Sequence, residues 1–288
     1  MYENRGKALL SVSKKEAMDN VRSKWVLVLT LIFAGLILLI SAYEGTRPGS
    51  NGGFENVIAF SSSLVVMLIS IVAIVMGYKT VVKEVDSKSI ALLLTSELSR
   101  KDIIFGKFVG LFTVIGFSIV TGLGIGGIVI GLTSGFENAG LYVIYILLSL
   151  VFGAAYLSIS MMLSSFFSKK SRALAGGVFI WIFFTFIWDL LLFVGLIGSG
   201  WDMPSSPTES VTYPEWYDLA RLFNPNHSFT MLVNKVIEPA IRSATVQIGS
   251  GTPLVPEIIT TPMALTALVT WIIIPIAIGV IWFNRKDL

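Results

Sequence analysis

The chain of 288 residues has no cysteine and only one histidine, and Asp, Glu, Lys and Arg together make up just 14% of it. Missing cysteine removes disulfide frameworks, thiol nucleophiles and thiolate metal sites together. A single histidine argues against intramembrane metalloproteases and most histidine-dependent chemistry. No Gly-x-x-x-x-Gly-Lys-Ser/Thr phosphate loop occurs, since the one Gly-Lys pair, Gly106-Lys107, has Lys101 where the first glycine would stand. ATP binding by that route is therefore excluded. A soluble domain would be about 25% charged. Here 54% of residues are apolar, and the mean hydropathy is +0.80.

Long uncharged runs dominate instead. They cover Trp25–Tyr43, Val57–Tyr78, Phe108–Phe136, Asn138–Ser168, Ala173–Trp201 interrupted only by Asp189, and Ile258–Asn284. Crossing ~30 Å of hydrocarbon takes roughly 20 helical residues, so each run is long enough for one span. The expectation is an all-α integral membrane protein of six transmembrane helices in one domain, residues 1–288, in the cell membrane. Runs three and four exceed one crossing, so their ends must tilt, protrude or turn near Gly131, Gly135, Asn138 and Gly140.

Basic residues set the expected orientation, because Lys and Arg are retained on the cytoplasmic side. Of 21, 17 fall in segments 1–24, 79–107, 168–172 and 284–288. The alternate loops hold only Arg47, Arg221, Lys235 and Arg242. Both termini are expected inside. Basic residues that flank spans and alternate with acids suit anionic lipid headgroups and give no indication of nucleic acid. The 24-residue polar leader, with no clear cleavage site after the first run, argues that this run stays as a span.

Within the leader, Leu10, Ala17, Met18, Val21 and Trp25 recur at helical intervals, with Lys14, Lys15, Glu16, Asp19 and Arg22 around them. That pattern predicts an amphipathic helix lying along the inner surface. The 79–107 loop carries a short apolar run, Ile90–Leu94, that is too short to span and wants a protein surface to cover it. Ser99 and Asp102 then have capping-box spacing, so a helix should start there and run into the third span.

The glycines of the third span, Gly122, Gly126, Gly127, Gly131 and Gly135, suit close helix packing. Pro275 predicts a kink in the last span. Asp189 is the one ionisable residue deep in an apolar run, and a charge at mid-bilayer costs at least ~2.5 kcal/mol on insertion scales. Its distance from Arg172, about 24 Å along a helix, places it toward the outer interface. There it is a transport-site candidate or an outer-end pairing residue.

Outer segment 198–257 holds seven of the ten prolines. Pro214 ahead of Glu215–Phe223 predicts a short helix, and Ser228–Ile237 a second one ended by Pro239. These would form a packed lid, with docking of an extracytoplasmic partner as the alternative. His227 and Met231, four residues apart, are a minimal soft-metal pair, too few for a site.

One signature gathers the 79–107 loop. Glu84, the leucines Leu92, Leu93 and Leu94, then Thr95, Ser99-Arg100, Ile103 and Gly106-Lys107 resemble the cytoplasmic signature of ABC-2-type permeases, the membrane subunits of ATP-binding-cassette transporters. Lys88-Ser89 stands where that family usually has Gly-Thr, and Glu97 where it has Pro. The aromatic run at 164–197 and the step Leu222-Phe223-Asn224-Pro225 resemble the branch of NosY-type permeases of nitrous-oxide-reductase maturation.

The resemblance implies a homodimeric permease that binds no cofactor itself, with ATP and Mg held by a separate cytoplasmic ATPase subunit. It also implies that 79–107 is the coupling loop, with Glu84, Ile90, Leu92, Leu93, Leu94, Ser99, Arg100, Asp102, Gly106 and Lys107 as coupling residues. An ATP-independent carrier or channel is the alternative. A membrane enzyme lacks a catalytic cluster.

Overall fold

The computed structural model describes residues 2–21, 24–46, 53–83, 99–201, 213–245, 256 and 258–285. Among them there is no strand. A surface helix α1 (Tyr2–Val21) precedes three spans, α2 (Lys24–Thr46), α3 (Phe54–Gly77) and α4 (Arg100–Ser134). The fourth span is α5 (Ala139–Phe166). A fifth combines α6 (Lys170–Ile182), a π turn (Phe183–Ile187) and α7 (Trp188–Gly198). Two outer helices follow, α8 (Glu215–Arg221) and α9 (Pro225–Thr245), before the last span α10 (Thr261–Arg285). All six spanning segments are long and apolar enough to cross a bilayer.

Helix α5 is the axis of the bundle. Most of it is buried, and Tyr145, Phe152 and Tyr156 are among the largest fully enclosed side chains. In contrast, α2, α6–α7 and α10 keep broad apolar faces outside the core. Where helices cross inside, hydroxyls join them. Ser160 Oγ donates to Ile74 O at 2.9 Å, Trp181 Nε1 donates to Ser70 Oγ at 2.9 Å, and the Ser61 and Tyr145 hydroxyls lie 3.0 Å apart. Such bonds hold helices together where solvent provides no hydrophobic drive. The small residues of α4 let α2 approach closely. A β-carbon on Gly122 would come 2.8 Å from the Phe33 ring, and one on Gly126 would lie 2.5 Å from Ile37. The glycines thus take the packing role expected of them.

Alternation of the spans brings the basic segments to one end. The N-terminal half of α4 lies beside α1, while Ser164 at the end of α5 accepts from the backbone N–H groups of Val81 and Val82 beyond α3. The opposite end carries the tight turn between α4 and α5, where Gly135 (φ 92°) and Asn138 (φ 59°) adopt left-handed backbone, and the outer helices. At 35 residues, α4 is about 52 Å long, so it must extend well past ~30 Å of hydrocarbon.

Two boundaries differ from the sequence reading. The second outer helix starts at Pro225 and continues through Pro239 to Thr245, where a stop was expected. Proline at 239 removes one backbone bond. Helix α9 tolerates that because Phe229, Leu232, Val233 and Ile237 bury one face against the bundle, and tertiary packing outweighs local propensity. The fifth span, read as one regular helix, is interrupted by the π turn.

Candidate functional site

At the basic end, the start of α4 is fixed by the capping box that its spacing predicts. Ser99 Oγ accepts from Asp102 N at 3.2 Å, and Asp102 Oδ2 accepts from Ser99 N at 3.1 Å. Such a cap stabilises a helix by ~1 kcal/mol. One turn further on, the helix is already inside protein. Ile103, Ile104 and Lys107 are buried, and α1 lies across them. Ser13 Oγ donates to Gly106 O at 2.8 Å, and a β-carbon on Gly110 would come 2.4 Å from Ser13 O.

Lys107 is the centre of this contact. Its Nζ lies 2.9 Å from Glu16 Oε2 on α1 and donates to Thr80 O, just past α3, at 3.2 Å. Its side chain is 4% exposed and that of Glu16 15%. One ammonium therefore joins three elements. Removing a single partner from a buried pair costs about 3–5 kcal/mol, because the other charge is left uncompensated.

Helix α1 presents Ser13, Glu16, Ala17 and Asn20 to the bundle, and Leu10, Met18 and Val21 point away from it. The leader thus forms the expected helix, but its docking face is largely polar. Glu16, one of the charges flanking the apolar positions in the sequence, is largely enclosed beside Lys107.

Of the residues expected in coupling, Gly106 and Lys107 meet α1, and Ser99 and Asp102 cap the first turn of α4. Arg100 begins α4. Glu84, Ile90, Leu92, Leu93 and Leu94 lie outside the described residues, which resume at Ser99.

A second polar cluster forms inside the bundle, at mid-length of the fifth span. The π turn in the fifth span alters the carbonyl pattern around Phe184, and the segment that opens α9 supplies amides to it. Asn224 Nδ2 donates to Phe184 O at 2.6 Å, and Asn226 Nδ2 reaches the same oxygen at 3.3 Å. Asn224 Oδ1 accepts from Asn226 N at 2.8 Å, and Asn226 Oδ1 accepts from the Tyr156 hydroxyl at 2.6 Å. Both asparagines are buried. Pro225 between them opens α9, a position that needs no N–H.

Asp189, two residues beyond the π turn, pairs with His227 Nε2 at 2.5 Å. The Asp189 side chain is 54% exposed and that of His227 18%. Met231 is buried in the bundle, and no group of three His, Asp or Glu side chains converges as a metal site among the described residues.

The first outer helix spans Glu215–Arg221 as the proline predicted, and its aromatics stack. Trp201, Tyr213 and Tyr217 follow one another at ring separations of 5.4 and 4.7 Å. Asp218, buried beneath them, has its carboxyl pushed above the usual range by loss of water, an effect that Arg221 opposes. Burial likewise raises the Tyr217 hydroxyl.

Sequence reasoning passed over the asparagine clamp, although Asn-Pro-Asn beside a helix start was a visible signal. Nothing in the side-chain pattern marks the π turn.

A bundle of six spans, with its basic ends gathered on one side and capped on the other by amphipathic helices, defines a multi-pass membrane transport subunit. The chain belongs to the ABC-2 family of transporter proteins, whose model matches residues 10–288. It is similar to the probable ABC transporter permease protein NosY of Pseudomonas aeruginosa, 27% identical over 251 residues that cover 85% of this chain and 88% of that one. The NosY permease of Stutzerimonas stutzeri is 28% identical over 229 residues, covering 77% of this chain and 79% of its own length. The resemblance read from the 79–107 and 164–197 motifs thus identifies the family. Membership implies that ATP is hydrolysed by a partner subunit.

Proposed function

We propose that this chain is the membrane-spanning half of an ABC-2 exporter. Two copies form the conduit, with both termini and the 79–107 loop in the cytoplasm. A separate ATPase holding ATP and Mg binds that loop. The observation that carries this reading is where 84–98 leaves and rejoins the bundle: between the turn after α3 and the capped start of α4, at the end where basic residues gather.

A push on that segment enters α4 at its capped first turn. It reaches α1 and Thr80 through Lys107, because the buried ion pair ties all three. Helix α4 is one continuous rod that meets α2 along Gly122 and Gly126, so displacement at its base is passed to that crossing. The broad apolar faces on α2, α6–α7 and α10 face lipid or the second copy. Segment 198–257 is a lid resting on the far end.

Copurification tests the lever. Expressed with its ATPase, the wild-type chain should retain that subunit stoichiometrically, and polar replacement of 90–94 together with Arg100→Ala should release it from a still-folded chain. Retention of the ATPase by that variant, or ATP-independent transport by this chain alone in liposomes, overturns the reading. Orientation has its own test, since the chain lacks cysteine. Lys101→Cys should react with an impermeant thiol reagent only from the cytoplasmic side, and Glu137→Cys only from outside.

A further inference from the structure

The first outer helix runs along the fifth span. A β-carbon on Gly195 would come 3.1 Å from the Trp216 ring. Further along α8 and further back along the span, the Phe223 and Trp188 rings stack at 6.5 Å. Asn224, Pro225 and Asn226 therefore form the inward tip of the α8–α9 hairpin, level with Phe184.

The tip meets a carbonyl that its own helix has released. In an α-helix the Trp188 N–H would donate to Phe184 O, four residues back. Here it donates to Phe183 O instead, and Phe184 O loses that donor. Two side-chain amides replace it, Asn224 Nδ2 at 2.6 Å and Asn226 Nδ2 at 3.3 Å. Asn226 is held in turn by the Tyr156 hydroxyl of α5. Hydrocarbon has no donor for a bare carbonyl, so the amides and the π turn require each other. If the tip withdraws, Phe184 O regains a partner when the Trp188 N–H returns to it, and that is the α-helical register.

The two registers present different side chains to the hairpin. Closing the π turn to an α turn rotates everything beyond it by ~100°, so each residue moves into the place of the one after it. Trp188 then stands where Asp189 now meets His227, and Leu191 takes the buried place of Leu192. Asp189 takes the place of Leu190, on the side of the span that the bundle leaves open. The indole of Trp188 points to the same change. Among the described residues nothing accepts from Trp188 Nε1, although that atom is shielded from solvent. In the α register it faces the His227 imidazole, whose unprotonated ring nitrogen is an acceptor.

We propose that the outer part of the fifth span is a two-register element, π with the hairpin tip seated and α with it withdrawn. Lifting the hairpin and turning Asp189 out of its pair with His227 are then one motion. Packed helices switch between discrete arrangements of this kind, because close-packed interiors do not deform gradually. The element is complete without the 79–107 loop, so it stands whether or not an ATPase engages that loop.

Cysteine pairs test it in membranes, since the chain has no cysteine of its own. Asp189→Cys/His227→Cys reports the π register and Trp188→Cys/His227→Cys the α register, while Leu190→Cys/His227→Cys faces away in both. Disulfide yield under mild oxidation is read by mass spectrometry of the digested chain. With both asparagines present, the 189 pair should exceed the 188 pair by roughly tenfold or more, the ratio for a minor register populated to ~10% or less. Adding Asn224→Ala/Asn226→Ala should reverse that preference.

A preference for the 189 pair that survives loss of both amides overturns the proposal, as does a folded variant in which the 188 and 190 pairs react alike. Should the double alanine variant fail to fold, the chain with both asparagines decides. There, prolonged oxidation should trap the minor register, so that the 188 pair accumulates several times faster than the 190 pair. Equal rates for those two pairs overturn the two-register element.

Discussion

The base of the bundle and its middle are fastened by different means. At the basic end a buried ion pair, Lys107 with Glu16, holds α1, α4 and the turn after α3. In the middle neutral amides, Asn224 and Asn226, hold the start of α9 against an irregular turn of the fifth span. Losing either partner of the charge pair costs the other its closest opposite charge. An amide network can lose one bond and keep the rest. The base is thus joined by one charged contact and the middle by several neutral ones.

Substitutions can break or sharpen this contrast. Lys107→Ala has the largest expected effect, a loss of about 3 kcal/mol or more, because the Glu16 carboxylate remains buried without its partner. Thermal unfolding of the purified chain reads it. A double-mutant cycle with Glu16→Gln should give a coupling energy well above that of a surface pair; additive effects would remove the distinction between base and middle. Asn226→Ala should cost about 1–3 kcal/mol, leaving the Tyr156 hydroxyl without its acceptor. Asn224→Ala alone should cost less than the two together, if Phe184 O keeps one donor.

Gly126→Val should destabilise by about 1–3 kcal/mol through overpacking against Ile37. It tests whether the α2–α4 crossing is as tight as base and middle require. Asp189→Asn keeps an acceptor for His227 and should change stability by about 1 kcal/mol or less. Transport lost in that variant at unchanged Tm would assign Asp189 to the pathway.

The smallest effect concerns pH. Because burial raises the Asp218 carboxyl in the folded state, the folded chain binds this proton more tightly than the unfolded one. Its contribution therefore favours folding below the ordinary carboxylate range and declines as pH rises through the raised value. Asp218→Asn should flatten that part of the Tm-versus-pH curve. An unchanged curve would remove Asp218 as its source.

Sequence carried the spans, the side on which basic residues gather, the Ser99–Asp102 cap and the Pro214-led helix, because each depends on neighbours a few residues apart. The far side of α1 was not legible. Glu16 and Asp19 are both acids on one helix, and only α4 lying across it encloses the first and leaves the second at a cleft wall. Asp189 was placed near the outer rim by helical rise alone, yet its partner His227 is 38 residues away and depends on how α9 folds back. The asparagine clamp was hidden for the same reason: two amides beside a proline look like a surface turn until a carbonyl of the fifth span comes to meet them.

The π turn at Phe183–Ile187 also sets which way the rest of its span faces. One extra residue in a turn rotates everything after it by ~100°. Counted as an uninterrupted helix, Asp189 would look out about a quarter of the way round the cylinder from where it meets His227. Deleting one residue within 183–187 should therefore re-phase the whole outer third of the span, swinging a carboxylate toward hydrocarbon while every side chain beyond it keeps its identity and loses its neighbour.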